Sequence, residues 1–174
     1  MQDLGIISPS LEEFRERAVT HRVIPVCIKI LADSLTPIGI YRSLVLHDGA
    51  ADPGTFLLES AKIATEGESA AWDRYSFIGA SSRSTLTTRD GKIYWQGQTP
   101  AGAPTEGDPV EAIKQTLRML HTEPVPGLPP LTSGLVGYLG WDVVRRWENL
   151  PYPPADDVNL PEFALNMVSD MAIH

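Results

Sequence analysis

The chain has 174 residues, of which 43% are hydrophobic, and its 22 acidic and 14 basic residues give a formal net charge of −8. This length fits one domain with a buried core, and the acidic balance argues against nucleic acid as a partner. One cysteine excludes an internal disulfide, and no apolar run approaches the roughly twenty residues of a membrane span. No segment has the pattern of a signal peptide, so we expect a cytoplasmic protein.

The first elements along the chain are predicted to be a helix and a strand. Ser10 and Glu13 stand at capping-box spacing, which predicts a helix that runs to about Thr20. Residues 23–32, VIPVCIKILA, are rich in β-branched side chains and predict a strand. Within that strand we expect Cys27 to be buried as a small apolar residue.

Residues 55–79 are the one stretch where two apolar runs lead into a compact group of polar side chains. A predicted strand, 56–60, ends in Glu59 and Ser60. A second predicted strand, 74–80, begins with three polar residues, Arg74, Tyr75 and Ser76. Apolar strands that end in a carboxylate and a hydroxyl can line a small-molecule site, although a strand end that is merely open to solvent has the same pattern.

Three further segments have local signals. Residues 38–46 fit parts of both the helical and the strand period, and we favour a short helix. Asp90-Gly91 lies between two strand-like runs, 85–89 and 92–96, and predicts a β-hairpin with a type I′ turn. The composition of 97–107, GQTPAGAPTEG, predicts a long surface loop.

Two more helices are predicted in the last third of the chain. Asp108 followed by Pro109 predicts a capped helix. Its apolar stripe is predicted to be Val110, Ile113, Leu117 and Leu120. Asp142 is predicted to cap a second, short helix over 143–149, with Arg145 and Arg146 on its solvent face or paired with Glu148.

The remaining strands complete the expected fold. Residues 132–139 predict a glycine-rich strand, and its glycines fit close backbone packing because no phosphate-binding motif surrounds them. Residues 163–173 predict a final strand that ends without a successor. The hairpin and the non-alternating order of elements predict an α+β fold in one domain, 1–174, with a mainly antiparallel sheet and helices packed on it.

Residue types alone give few candidates for catalysis. The four histidines have no spacing that would build a zinc site, and no nucleophile elbow is present. Cys27 has no evident histidine partner for nucleophilic catalysis. By these criteria the chain is a plausible binding domain and a poor enzyme.

Three motifs, taken in order and spacing, resemble a known family. They are ADSLTPIGIYRSL at 32–44, LLES at 57–60 followed by RYSFIG at 74–79, and GLVGYLGWDVVRRWENLP at 134–151. Together they resemble the N-terminal domain of component I of anthranilate synthase, a chorismate-utilising enzyme. The related component I of aminodeoxychorismate synthase, from the folate pathway, is a close alternative. A stand-alone amino-acid-binding or scaffold domain is a further alternative.

The resemblance implies a lyase reaction that this chain does not perform alone. In the family, the complete enzyme converts chorismate and ammonia into anthranilate and pyruvate for tryptophan biosynthesis, and a glutamine amidotransferase subunit delivers the ammonia. The catalytic residues and the Mg²⁺ ligands lie in a chorismate-binding C-terminal domain that follows this region. The resemblance therefore implies that this chain carries no catalytic residues and no metal site.

The resemblance also implies a regulatory ligand site. In the family, the LLES segment contributes to the site where L-tryptophan binds as a feedback inhibitor. Carried onto this sequence, the first candidate is Ser60, followed by Glu59 and Leu58. The neighbouring candidates are Arg74, Tyr75 and Ser76. A zwitterionic aromatic ligand needs charged or polar groups at both ends and an apolar slot for its ring.

Overall fold

The computed structural model describes residues 4–47, 49–59, 74–122 and 124–174. In chain order the elements are β1 (Ile7–Ser8), α1 (Leu11–Arg17), β2 (Cys27–Ile28), α2 (Pro37–Val45), β3 (Leu46–His47), β4 (Ala50–Ala51), β5 (Phe56–Leu58), β6 (Phe77–Arg89), β7 (Lys92–Gly97), α3 (Pro109–Met119), β8 (Leu135–Leu139), a 3₁₀ helix (Trp141–Arg146) and β9 (Phe163–Ile173). The pairs β1–β2, β3–β4, β5–β6, β6–β7 and β8–β9 are antiparallel, which confirms the predicted α+β class.

The chain forms two compact units. The first unit comprises Met1–Ser82, Leu120–Gly134 and Val168–His174, and the second comprises Arg83–Met119 and Leu135–Met167. Strands β6 and β9 each contribute residues to both units. In the described part of the chain, no helix has the length and apolar character that a bilayer crossing requires.

Helix α1 begins at the predicted capping box. The backbone N–H of Ser10 donates to Oε2 of Glu13 at 2.8 Å, and the backbone N–H of Glu13 donates to Oγ of Ser10 at 3.2 Å. The first of these hydrogen bonds lowers the pKa of the Glu13 carboxyl from its usual value. The helix ends at Arg17, three residues before the predicted Thr20.

The strand predicted over 23–32 is wrong for most of its length. Only Cys27–Ile28 forms a strand, and its partner is the two-residue strand Ile7–Ser8. A β-branched composition does not itself supply a neighbouring strand, so the rest of the segment stays irregular. Cys27 is half-buried and not buried as predicted. Among residues 4–35, only Pro9 is buried.

Helix α2 and strand β5 follow in the first unit. The helix predicted for this segment is confirmed, and Oγ1 of Thr36 caps it by accepting the backbone N–H of Gly39 at 3.1 Å. Val45, in its last turn, is buried. Strand β5 covers Phe56–Leu58, whereas the sequence predicted 56–60. Ser60 lies outside the described residues.

Strand β6 is one continuous element of 13 residues, although two strands were predicted within it. No strand was predicted for the serine-rich segment 81–84 that joins them. Instead, the hydroxyl of Ser81 donates to the Asp170 carboxylate and that of Ser84 donates to the carbonyl of Gln98, so both are satisfied within the sheet. The hairpin from β6 to β7 is confirmed, with φ of 52° at Asp90 and 70° at Gly91.

The second unit has a core in which the hairpin, α3 and β9 meet. Its strands lie in the order β7, β6, β9, β8. The buried cluster consists of Leu86, Ile93, Trp95, Ala112, Phe163 and Leu165. The indole N–H of Trp95 donates to the carbonyl of Pro104 at 2.8 Å, which ties the 97–107 loop to this core.

Helix α3 begins as predicted but is rotated relative to the predicted stripe. Oδ1 of Asp108 accepts the backbone N–H of Glu111 at 2.9 Å, and this hydrogen bond lowers the pKa of the Asp108 carboxyl. Val110 is buried and Ile113 packs against the core, as predicted, but Leu117 is exposed and Leu120 lies beyond the helix end. Ala112 and Thr116 are buried in place of the two leucines. The hydrophobicity of the leucines extended the predicted stripe onto the exposed side of the helix.

The predicted cap at Asp142 is wrong. The helix begins after Gly140 and has no side-chain cap, while the Asp142 carboxylate accepts a hydrogen bond from Nε of Arg145 at 2.6 Å. Arg146 is not on the solvent face and does not pair with Glu148. Its guanidinium donates to Oε2 of Glu162 at 2.6 and 3.0 Å and to Oδ2 of Asp108 at 3.0 Å.

Glycines around β8 allow close packing, as predicted for two of the three. A Cβ at Gly137 would clash with the carbonyl of Ala164, and one at Gly140 would lie 3.0 Å from the carbonyl oxygen of Glu162. A Cβ at Gly134 would instead make only an ordinary contact, at 4.0 Å from Cδ1 of Leu131, and Gly134 has a φ of +138°. The bounds predicted for the final strand, Phe163–Ile173, are confirmed.

Candidate functional site

Five of the six predicted ligand residues lie at one end of the β5–β6 pair in the first unit. The register pairs Phe56 with Gly79, Leu57 with Ile78 and Leu58 with Phe77. Continued by one residue, the same register places Glu59 opposite Ser76. The sixth residue, Ser60, follows Glu59 directly and lies outside the described residues.

The β5 side of this end offers an apolar and an acidic side chain. Leu58 and Glu59 are both exposed where the strand stops. No described salt bridge includes Glu59. Its carboxylate is therefore available to accept hydrogen bonds from a ligand ammonium group.

The β6 side offers a guanidinium group over one of two neighbouring aromatic rings. The Arg74 guanidinium lies 5.9 Å from the centroid of the Tyr75 ring, and the Tyr75 and Phe77 rings lie 6.2 Å apart at 51°. Phe77 is buried, Tyr75 half-buried and Arg74 exposed, so the stack runs from the interior to the surface. An aromatic ligand could pack on this stack while the guanidinium binds a carboxylate.

Ser76 holds its end of the strand in place through its backbone. Its N–H donates to the carbonyl of His174 at 2.8 Å, and the N–H of His174 donates to the carbonyl of Ser76 at 2.9 Å. The side chain of Ser76 is buried, in contrast with those of Leu58, Glu59 and Arg74. This position is therefore more suited to supporting the site than to direct contact.

Two supporting contacts were missed in the sequence. The ring of Phe56 packs on Gly79 so closely that a Cβ at Gly79 would clash with it. The hydroxyls of Tyr41 and Thr55 are 3.3 Å apart, which connects α2 to the start of β5. A glycine inside the strand-like run RYSFIG was the available signal for the first contact, since such glycines often mark close approach. No sequence signal was available for the contact between Tyr41 and Thr55, because the two residues lie in separate segments.

A cavity of about 590 Å³ in the second unit contains none of the predicted ligand residues. The hairpin contributes Thr85, Thr87, Tyr94 and Gln96 to its lining, and the loop before β9 contributes Asp156, Asn159 and Leu160. The hydroxyls of Thr85 and Thr87 are already bonded to Asn166 and to the carbonyl of Phe163. Two of the hydroxyls that line this cavity are therefore already engaged in the fold, and most of its other lining side chains are polar.

Comparison with known proteins gives matches along the whole chain. The chain is 59% identical over 174 residues to anthranilate synthase component 1 of Arthrobacter globiformis, covering 100% of the chain and 31% of that protein. It is 50% identical over 163 residues to the protein of the same name from Mycolicibacterium smegmatis, covering 94% of the chain and 29% of that protein. The chain thus spans about three tenths of the length of these curated relatives.

More distant matches have the same name. Anthranilate synthase component 1 of Acetivibrio thermocellus is 32% identical over 166 residues, which cover 95% of the chain and 32% of that protein. A crystal structure of anthranilate synthase component I from Streptococcus pneumoniae matches at 18% identity with a TM-score of 0.46, over 84% of the chain and 28% of that structure. No family model matches the chain.

Proposed function

Because the chain belongs to the anthranilate synthase component 1 family, we propose that it forms the N-terminal regulatory domain of an anthranilate synthase of tryptophan biosynthesis. The 59% identity along the entire chain carries this proposal. The curated relatives described above are named for anthranilate and not for aminodeoxychorismate, which supports the former activity over the latter.

In the proposed enzyme, chorismate and ammonia are converted into anthranilate and pyruvate in the cytoplasm. An amidotransferase subunit supplies ammonia from glutamine, and a chorismate-binding C-terminal domain performs the lyase reaction with Mg²⁺. Within the described residues, no group of three or more His, Cys, Asp or Glu side chains could hold a metal ion. The proposal assigns the steps of the reaction and the metal ligands to the C-terminal domain, as the family resemblance implies.

The role of this domain is to bind L-tryptophan at the end of the β5–β6 pair. Glu59 accepts hydrogen bonds from the ligand ammonium, and Arg74 pairs with its carboxylate. The indole packs against Leu58 and Tyr75, and Ser60, which directly follows Glu59 in the sequence, contributes a hydroxyl. The stack of Arg74, Tyr75 and Phe77 supports this arrangement, because it combines a cation with an aromatic surface that is anchored in the interior.

Inhibition at a distance requires tryptophan to bind one conformation of the enzyme more tightly than another. The backbone hydrogen bonds between Ser76 and His174 support a path for such a change, since they connect the ligand end of β6 to the end of β9. A shift of β6 on binding would therefore displace the residues that follow Ile173.

The proposal is tested with the longer enzyme, by which we mean a protein of the relatives' full length that contains this chain. It is assayed with chorismate, ammonium and Mg²⁺. We expect fluorescent anthranilate and an equal amount of pyruvate, with inhibition by L-tryptophan. The 174-residue chain under the same conditions should form neither product. Formation of 4-amino-4-deoxychorismate by the longer enzyme, or of anthranilate by the 174-residue chain, contradicts the proposal.

A further inference from the structure

The 3₁₀ helix Trp141–Arg146 sorts its side chains into three rows, because residues three apart eclipse each other in this geometry. One row faces the protein: Val143 is buried and Arg146 is paired with Glu162. The two residues of a second row, Asp142 and Arg145, form an ion pair with each other. Each of these rows has its partners within the second unit.

The third row is apolar, with a half-buried valine between two tryptophans that are exposed. It contains Trp141, Val144 and Trp147, the last of which continues the turn by donating its backbone N–H to the carbonyl of Val144 at 3.0 Å. Trp141 is 87% exposed and Trp147 is 61% exposed. Together the two indoles leave roughly 300 Å² of surface in water, the scale of the largest apolar patch on a typical monomer. We call this row the Trp ridge.

Charge around the Trp ridge restricts what can cover it. Residues 141–160 contain four carboxylates and two arginines, and no lysine or histidine. Both arginines are engaged in ion pairs, whereas Glu148 and Asp157 have no ion-pair partner in the described part of the chain. The acidic balance of this segment disfavours a second copy of the same surface and an anionic membrane, and it favours an apolar protein groove flanked by basic residues.

We propose that the Trp ridge docks into such a groove on the part of the longer enzyme that has no counterpart in this chain. This inference rests on the proposed function. The relatives are about three times as long as the chain, so they contain a large further surface on the same polypeptide. Exposed tryptophans at the two ends of a helix whose other side chains are buried or paired are typical anchors of a permanent interface.

Hydroxyl-radical footprinting with mass spectrometry tests the proposal in unmodified proteins. Trp141 and Trp147 should be oxidised at least about tenfold more slowly in the longer enzyme than in the 174-residue chain. Trp95 is buried in the core and should react slowly in both, which confirms that the second unit is folded in each sample. Equal rates at the two ridge residues would overturn the proposal.

A variant of the longer enzyme provides a test that does not need the isolated chain. Val144→Asp places a charge in the middle of the ridge and should restore fast oxidation of Trp141 and Trp147 while Trp95 stays protected. Tyr152→Asp is the matched control, because Tyr152 is 92% exposed but lies outside the helix, and it should leave the ridge protected. If Val144→Asp leaves the ridge protected, the proposal is wrong.

Other results of these experiments would show that something else covers the Trp ridge. Protection that rises with enzyme concentration indicates a second copy, and protection that needs the amidotransferase subunit indicates a separate protein; either overturns the proposal. Anthranilate formation by the same preparation tests the proposed function independently. An active enzyme with a fast-reacting ridge refutes only the docking, whereas a protected ridge in an enzyme that forms no anthranilate refutes only the activity.

Discussion

The ring of Phe56 lies over the backbone of Gly79, at the register pair that begins the β5–β6 ladder. No side chain larger than hydrogen fits at position 79 without moving the ring. The contact therefore fixes β5 against β6 two residues before the strand reaches Leu58, where the candidate ligand site begins.

Gly79→Ala should destabilise the protein by about 1–3 kcal/mol because its methyl group forces the Phe56 ring aside. Chemical denaturation of the single variants and of Gly79→Ala with Phe56→Leu completes a double-mutant cycle. The double variant should be more stable than the sum of the two single effects predicts. Strict additivity would show that the two side chains do not oppose each other.

Arg146→Met should lower the free energy of unfolding by about 1.5–3 kcal/mol, because it leaves Glu162 and Asp108 without their guanidinium donor. Arg146→Lys should recover little of this loss, since one ammonium cannot reproduce the fork that reaches both carboxylates. Arg118→Met is the control. The Arg118 side chain is 71% exposed against 23% for Arg146, so its ion pair with Glu111 should contribute less than about 1 kcal/mol. Equal losses would contradict this difference.

The lowered pKa of Asp108 predicts a specific pH dependence. A depressed carboxyl pKa stabilises the fold above the unfolded-state value of about 3.9, and that contribution is lost as the pH falls through the lower, folded-state value. Wild type should therefore exceed Asp108→Asn in stability near neutral pH, and the gap should close in acid. Denaturation curves between pH 3 and pH 7 measure it. Asp157→Asn serves as the control, and a gap for Asp108→Asn that is constant with pH would refute the prediction.

Ser60→Leu in the longer enzyme should raise the tryptophan concentration needed for half-inhibition at least about tenfold, a loss of about 1.4 kcal/mol in binding. The reason is steric, since the larger branched side chain takes up room that the proposed site gives to the ligand. Chorismate turnover without tryptophan should stay nearly unchanged. Thr105→Leu, a comparable change in the loop of the second unit, should leave inhibition intact. Unaltered inhibition in Ser60→Leu would remove this residue from the site.

Arg74→Gln should weaken tryptophan binding about five- to tenfold, because the amide replaces a charge-assisted hydrogen bond to the ligand carboxylate with a neutral one. Titration calorimetry on the longer enzyme measures the effect directly. Tryptamine, which lacks the carboxylate, should bind wild type and Arg74→Gln with equal affinity. If Arg74→Gln weakens tryptamine as much as tryptophan, Arg74 acts on the fold of the site and not on the carboxylate. Arg118→Gln should bind both ligands as wild type does.

Local chemistry explains which parts of the fold were predictable. The turn at Asp90-Gly91 and the helix cap formed by Ser10 and Glu13 are each determined by a few adjacent residues, so both could be predicted from the local sequence. The start of the final strand was predictable for a similar reason, since Phe163 closely follows the end of a proline-rich run.

Partners distant in sequence explain the errors. Arg146 bonds to Asp108 and Glu162, which are 38 and 16 residues away, whereas the prediction considered only its neighbours. The prediction of a strand over 23–32 was wrong because only Cys27–Ile28 pairs with another strand. For the candidate site, the motif identified the two strand ends, but the Phe56–Gly79 packing that holds them depends on a register that no single segment encodes.

The scarcity of buried residues between 4 and 35 has a consequence for local stability. Helix α1 contains no buried residue, so little apolar burial opposes its opening. Its amide protons should exchange with deuterium within minutes, while those of Leu86 and Phe163 persist for hours at the same pH. A protease should likewise cut first near Val19 and leave the core around Trp95 intact.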